Sequence, residues 1–315
     1  MQKRNDFLVL LLWCTKTEIM AKEKIPVYDI CSLNKDEGAD YLVERFSSYL
    51  HRHDPQLHLP HRHSFYHLVL FTKGSGSHQI DFTRFKVKPF QVYFMIPGQV
   101  HSWHFEGEVD GYIINFSETF FKAFLQNPNY LERFAFFSGV GEESVCQLST
   151  EIRQTVVGVF ETLLAPSEGV GENKADMVRL LFLQLFILID NSCNGSARRA
   201  FPLQKQTLLR TFRRLIDSHY RELRLPKEYA DLLYITPNHL NALCRDLLGK
   251  TAGELIRDRT LLEAKRLLTN ARMTATEIAY ELNFVDNSYF NRFFKKNAGM
   301  TPDDFRKSLL HNKNK

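Results

Sequence analysis

The chain has 315 residues, 44% of them hydrophobic and 24% charged, which is room for about two domains with cores of their own and excludes wholesale disorder. Its net charge of +5 is unevenly spread: Gln204 to Lys315 holds 21 Lys and Arg against 13 Asp and Glu, while the remainder carries 20 against 23. A basic C-terminal third on a mildly acidic body points to a polyanion as the partner of that third. Five cysteines (Cys14, Cys31, Cys146, Cys193, Cys244), without any C-x-x-C spacing, argue against a disulfide framework or zinc ribbon and suit a reducing cytoplasm.

In chain order, the first segment sets Lys3 and Arg4 before an apolar run from Phe7 to Trp13, which mimics a short signal peptide. No small-x-small cleavage site follows, and a membrane span needs about 20 apolar residues. Residues 1–23 are therefore read as an extra segment, with Met20 as the expected start. The apolar run Leu180 to Ile189 is also too short to span and reads as a buried helix. The expected setting is cytoplasmic, without a membrane.

From Ile25 to Phe116 the residues are aromatic and β-branched in short runs. Tyr66–Phe71, His78–Phe82, Phe90–Ile96 and Gly111–Phe116 read as strands, with turns at Lys73-Gly-Ser-Gly76 and Pro97-Gly98. Many short strands predict an antiparallel jelly roll over residues 24–118. The pattern then turns helical over 119–191. Ser149–Leu164 carries Ile152, Val156, Val159, Phe160 and Leu163 on one stripe, and Asn173–Asp190 is apolar almost all round, as a buried or interfacial helix would be. Phe120, Phe121, Phe124, Phe134, Phe136 and Phe137 are read as core. The small polar residues from Asn191 onward read as an interdomain linker over 192–203.

The span 204–311 is all helix and turn. Expected helices are Thr207–Tyr220, Lys227–Leu233, Thr236–Leu248 with Thr236 as N-cap and Pro237 first, Thr251–Thr269, Thr274–Leu282, and Asp286–Asn297 capped by Asp286. A last one starts at Thr301-Pro302. Two units repeat here about 48 residues apart, each a short helix with a central Ala (Ala230, Ala279), a turn, and a capped helix ending at Gly249 or Gly299. A small side chain lets two helices cross closely, as in a helix–turn–helix whose second helix enters the major groove.

The run from Ile278 through Asn-Phe-Val-Asp-Asn-Ser-Tyr-Phe-Asn-Arg-Phe-Phe to Thr301-Pro302, with Phe305-Arg306, resembles the signature of the AraC/XylS transcriptional regulators. Leu261–Leu268 resembles the connecting helix of that family, and the likeness covers about 100 residues. Asn283 departs from the usual Gly in the turn, although Asn tolerates a left-handed conformation better than most residues. Cys244 stands where an aromatic is common. The resemblance implies a cupin-like sensory domain before a DNA-binding domain with two helix–turn–helix units, hence an α+β multidomain protein. It also implies double-stranded DNA as partner, a small-molecule effector and contact with RNA polymerase, while the apolar Asn173–Asp190 helix points to a homodimer. The residues expected toward DNA are Asn238, Asn241, Ala242 and Arg245 on the first recognition helix. On the second they are Asn287, Ser288, Asn291 and Arg292, with Lys295 and Lys296 on phosphates.

The rival signal lies in the strands. His61, His63 and His67 are two and four residues apart, so one strand face can gather them, and Pro97-Gly-Gln-Val-His101 offers a fourth imidazole. This looks like the cupin pattern with His67 in place of its Glu, and imidazoles alone can hold Zn²⁺, Fe²⁺ or Cu²⁺. Such domains in the resembled family commonly carry no metal, so these four residues are expected to line a ligand pocket, with no cofactor and no catalysis. His51, His53 and His58 are read as solvated loop residues. The alternative is a cupin-type metalloenzyme with an accessory helical domain. No P-loop, G-x-S-x-G or G-x-G-x-x-G occurs, so other enzyme classes have no anchor.

Overall fold

The computed structural model describes residues 25–33, 40–57, 59–122, 124–127, 130–165, 173–198, 202–270 and 273–311. The extra segment 1–23, its Met20 start, Cys14 and His58 lie outside the described residues. Residues 26–206 and 207–311 form two separate compact units.

The first unit opens with β1 (Val27–Tyr28), α1 (Ile30–Leu33), β2 (Tyr41–Arg45) and α2 (Phe46–Leu57). Then come β3 (His61–His63), β4 (Tyr66–Ile80), β5 (Thr83–Lys86), β6 (Gln91–Met95) and β7 (Val100–Phe116). After α3 (Thr119–Lys122) and a series of 3-10 turns, β8 (Val145–Gln147) completes one eight-stranded sheet ordered β1-β3-β7-β4-β6-β8, with β2 on β7 and β5 on β4. All pairs are antiparallel except β1 with β3. The jelly-roll expectation holds.

Both faces of this sheet are buried, and the period of two sorts its side chains between them. Val69, Phe71, Tyr93, Met95 and Ile113 face an inner core with Phe46 and Tyr49 of α2 and Trp103. Their alternates Leu68, Leu70, Val92, Phe94, Ile114 and Phe116 face an outer core. That outer core takes in Phe120, Phe121, Phe134, Phe136 and Phe137, together with α4 (Arg153–Leu164) and α5 (Lys174–Arg198). Phe124 is half-buried.

Four local readings are corrected. Lys73-Gly-Ser-Gly76 is not a turn: β4 runs straight through it, and the chain reverses at Asp81-Phe82, with Asp81 at φ 51°. The glycines serve close approach instead. The β4–β7 register slips between Phe71 and Lys73 and between Lys73 and Ser75, and a Cβ on Gly76 would run into the His104 carbonyl oxygen. Second, α2 occupies a stretch read as strand and loop, because Phe46, Tyr49 and Leu50 recur at helical spacing and pack on the sheet. His51 and His53 thus lie on a helix rather than a loop, with His53 half-buried and its ring 4.8 Å from that of Tyr49. Third, α5 does not stop at Asp190 but continues to Arg198, into the segment read as linker. Small polar residues and a lone Gly lower helix propensity by about 1 kcal/mol or less each, too little to end a helix already anchored by packing. Last, Cys146 on β8 and Cys193 on α5 are brought side by side, with Cα atoms 6.1 Å apart, a pairing that the cysteine spacing did not foretell.

The second unit begins in α6 (Leu203–His219). It continues with α7 (Pro226–Leu232), α8 (Pro237–Leu248), α9 (Ala252–Leu268), α10 (Ala275–Glu281), α11 (Asn287–Ala298) and α12 (Pro302–His311). Helix α9 is central and touches α7, α8, α10, α11 and α12. Its start is held by a capping box in which Thr251 Oγ1 accepts from the Glu254 amide while the Glu254 carboxylate accepts from the Thr251 amide.

Candidate nucleic-acid interface and buried histidine cluster

The two helix–turn–helix units are built alike. Helices α7 and α10 are offset by 49 residues, α8 and α11 by 50. The extra residue sits in the second turn, where Val285 is exposed. Ala230 and Ala279 are fully buried. Each turn takes a left-handed residue at the corresponding place, Tyr234 at φ 54° and Asn283 at φ 56°. The expectation for Asn283 is met, and the Tyr has no such side-chain excuse.

Both second helices are fixed at both ends. Thr236 Oγ1 accepts from the His239 amide at 3.2 Å, and Asp286 Oδ1 accepts from that of Tyr289 at 2.7 Å. Gly249 and Gly299 close them at φ 68° and 80°, the left-handed C-cap. One face of each is core: Leu240, Leu243 and Cys244 on α8, Phe290 and Phe294 on α11. Cys244 takes the place of Phe294 in the repeat and is fully buried there. Arg224 ties the units together. Its guanidinium lies 4.4 Å from the centre of the Phe284 ring and donates to the Leu282 carbonyl and, at 3.2 Å, to Thr260 Oγ1.

Of the residues expected toward DNA, Asn238, Ala242, Arg245, Ser288, Arg292, Lys295 and Lys296 are exposed. Asn287 is half-buried and accepts from Asn291. Asn241 and Asn291 are turned inward. The Asn241 amide donates to the Pro237 carbonyl at 3.1 Å and accepts from the Ala252 amide at 3.1 Å, so it helps start α9. Asn291 donates to the Asn287 carbonyl at 2.8 Å. Sequence reasoning passed over His239 and Tyr289, which occupy equivalent exposed positions one turn into the two helices. The 50-residue offset would have paired them.

The histidines meet inside the first unit. His61 and His63 point inward from β3, His67 and His78 from β4, and His101 from β7, where it stands opposite His61. All five are buried. His63 Nε2 and His101 Nε2 are 2.6 Å apart, and His101 Nδ1 is 3.1 Å from His78 Nε2. His61 Nδ1 donates to the Leu59 carbonyl at 2.8 Å, and His67 Nδ1 to Asn115 Oδ1 at 2.6 Å. Burial pushes His61 down to about 4 and His67 to about 3; desolvation, with the neighbouring imidazoles adding, holds His63, His78 and His101 well below the ordinary histidine range. The cluster is neutral. The four histidines expected together do meet, but from three strands rather than from one strand and a turn, because the chain bends at Ser64-Phe65 between His63 and His67 and His101 lies within β7; His78 is the member that was missed, although it lies two residues from inward-facing Ile80.

Comparison with known proteins agrees with this architecture. A family model described as an AraC-like ligand binding domain matches residues 46–212, and one described as a helix-turn-helix domain matches residues 229–308. The HTH-type transcriptional activator RhaR of Escherichia coli O139:H28 is 23% identical over 256 residues, 81% of this chain and 89% of that protein. The uncharacterized HTH-type transcriptional regulator YijO of Escherichia coli K12 is 31% identical over 104 residues, 33% of this chain and 37% of that protein. Among solved structures, fatty-acid-bound ToxT from Vibrio cholerae matches 87% of this chain and 97% of its own at 12% identity, with a TM-score of 0.39. The C-terminal domain of AraT from Geobacillus stearothermophilus matches 32% of this chain and 84% of its own at 25% identity and a TM-score of 0.30. With an AraC-like ligand-binding domain before a doubled helix–turn–helix, this chain belongs to the AraC family of DNA-binding transcription regulators.

Proposed function

We propose that α8 and α11 are the two reading heads, each in its own stretch of major groove, about one helical turn of DNA apart. The observation that carries this is the repeat itself: two capped helices, 50 residues apart, that bury equivalent residues and expose equivalent ones. Base edges fall to Asn238, His239 and Ala242 on α8 and to Ser288, Tyr289 and Arg292 on α11, near the N-terminal end of each. Arg245 shares its repeat position with Lys295, one turn further along, so it stands at the border of base and phosphate contact. Lys295 and Lys296 close the site on the backbone. Selection of bound duplexes from a randomised library by the full chain tests the reading. The expected product is a site in which each subunit's half carries two recurrent boxes about 10 base pairs apart, and half-sites with a single box or none refute it.

The chain acts as a homodimer in this reading, through α5. That helix buries Val178, Phe182, Leu185, Phe186 and Ile189 within its own unit, yet leaves Met177, Leu180 and Ile187 at 47%, 51% and 42% exposure. With Gln184 and Asn191 these fall three and four residues apart, an apolar seam of coiled-coil spacing. The first unit is the sensory one, responding to a small molecule in the cytoplasm and passing the response to RNA polymerase through bound DNA. No catalytic step is assigned. Among the described residues no helix is long and apolar enough to cross a membrane.

A further inference from the structure

Helix α5 loses its anchors toward its C-terminal end. Phe182, Phe186 and Ile189 fall three and four residues apart on its sheet-facing side and are fully buried, and Cys193 continues that row. The stretch after Asp190, Asn191-Ser-Cys-Asn-Gly-Ser196, is made of poor helix formers, so these turns owe their helix to what holds them on the sheet. Among the described side chains beyond Asp190 that hold is thin. Ser192 Oγ accepts from the Ser149 amide at 3.3 Å, and Cys193 packs on the outer core with its sulfur 4.0 Å from the Gln147 carbonyl oxygen. Cys146 stands beside it on β8, buried, where pairing with β6 sets it across from Val92. The two Cα atoms are 6.1 Å apart, inside the roughly 4.4–6.8 Å that a disulfide bridges.

We propose that Cys146 and Cys193 are an oxidant-sensitive modification site: a peroxide joins them and a dithiol parts them. A chain that works on DNA works where thiols are kept reduced, and there a pair at bonding distance is a transient, sensing one rather than a permanent staple. Half-buried Cys193 is the sulfur that peroxide reaches first, since Cys146 lies in the core. Its thiolate attacks one peroxide oxygen and the O–O bond breaks. Hydroxide leaves, takes up the thiol proton as water, and Cys193 becomes a sulfenic acid. The Cys146 sulfur then attacks the Cys193 sulfur. The S–S bond forms as the S–O bond breaks, and the hydroxyl leaves with the Cys146 proton as a second water, so two thiols give two electrons to one peroxide. Exchange with a dithiol restores both thiols. The bond closes a separation of 47 residues and ties the last turns of α5 to the sheet. Reduced, those turns open and close locally; oxidised, they are fixed. They lead into α6, so the oxidation state sets how much slack chain precedes the DNA-binding helices, a consequence that rests on the function proposed above. The outward seam of Met177, Leu180 and Ile187 lies on another face, so the site does not depend on how the chain dimerises.

The test exposes reduced, full-length protein to hydrogen peroxide, blocks the remaining thiols with a maleimide and maps the peptides by mass spectrometry. A cross-linked Cys146–Cys193 peptide should account for most chains and disappear on adding dithiothreitol. Oxidation should raise Tm by about 5 °C or more. It should also slow amide exchange over residues 191–198 by about tenfold or more, and change affinity for a library-selected duplex by about threefold or more. All of these differences should vanish in Cys193→Ser, whereas Cys31→Ser, which removes an exposed thiol elsewhere, should respond as the parent does. Cys146→Ala serves as a second variant, with circular dichroism to identify misfolding of its core position; if it misfolds, Cys193→Ser at the half-buried position decides. A parent that binds no duplex in either state fails the DNA reading, and the cross-link and the exchange rates then decide the site. The proposal is overturned by absence of the cross-linked peptide, by a full response in folded Cys193→Ser, or by a cross-link that leaves exchange, or affinity in a chain that binds DNA, unchanged.

Discussion

Arg292 and Arg245 separate two ways of contacting DNA. Arg292 is exposed near the middle of α11, and a bidentate contact to guanine is worth about 1–3 kcal/mol of discrimination. Arg292→Ala is therefore expected to relax preference at one or two base pairs, measured by library selection beside the parent, and an unaltered base preference removes Arg292 from the readout set. Arg245→Ala should give a smaller change in preference, because the repeat puts Arg245 where the second unit has Lys295. For Lys295 and Lys296 the expectation is uniform. Neutralising both should weaken binding to every duplex and reduce the slope of log K against log salt by about 0.9 for each lost phosphate contact. An unchanged slope excludes them from the backbone. Asn241, by contrast, belongs to the fold. Asn241→Ala should leave base preference alone and cost about 1 kcal/mol or more of stability in thermal or denaturant unfolding, since it strips the Ala252 amide of its acceptor.

At the scale of elements, α5 has two jobs on two faces. The face against the sheet is core, and the outward seam of Met177, Leu180 and Ile187 is the one available for a second copy. Ile187→Glu sets a charge on that seam, where it would be buried against the second copy. Sedimentation should then show a monomer at concentrations where the parent is a dimer, with an unchanged melting profile of the subunit. A dimer that survives the Glu places the interface elsewhere. The histidine-bearing strands are the other informative element. Period-two reasoning expected His61, His63 and His67 on one strand face with His101 joining from the next turn, and the four meet instead from β3, β4 and β7. It failed at Gly74 and Gly76, since glycine signals a turn and a bulge equally, and only the β4–β7 pairing tells them apart.

Across the whole molecule the two compact units divide the work and the charge. A fragment starting at Leu203 retains both reading heads and most of the basic surplus. It is expected to select the same bases as the full chain but to bind about 10²-fold more weakly or worse, because linking two DNA-binding units multiplies affinity through effective concentration. Equal affinity of fragment and full chain in an anisotropy titration would show that the first unit contributes no dimerisation to binding.

The second unit was legible almost residue by residue in the amino-acid order, because its information is local. Thr236, Asp286, Thr251 and the C-cap glycines satisfy the end groups of their own helices, and the apolar stripe of each helix is set within four residues. What lay beyond local reading involves partners far apart in the chain. The inward turn of Asn241 needs the start of α9, the persistence of α5 past Asp190 follows from anchoring by the sheet, and the Cys146–Cys193 pair spans 47 residues. His78 joins the other four imidazoles only because β4 pairs with β7 along nearly its full length, carrying one strand from His67 to His78 past His101. Periodicity says which face a side chain takes. Only the pairing of distant strands decides what it meets there.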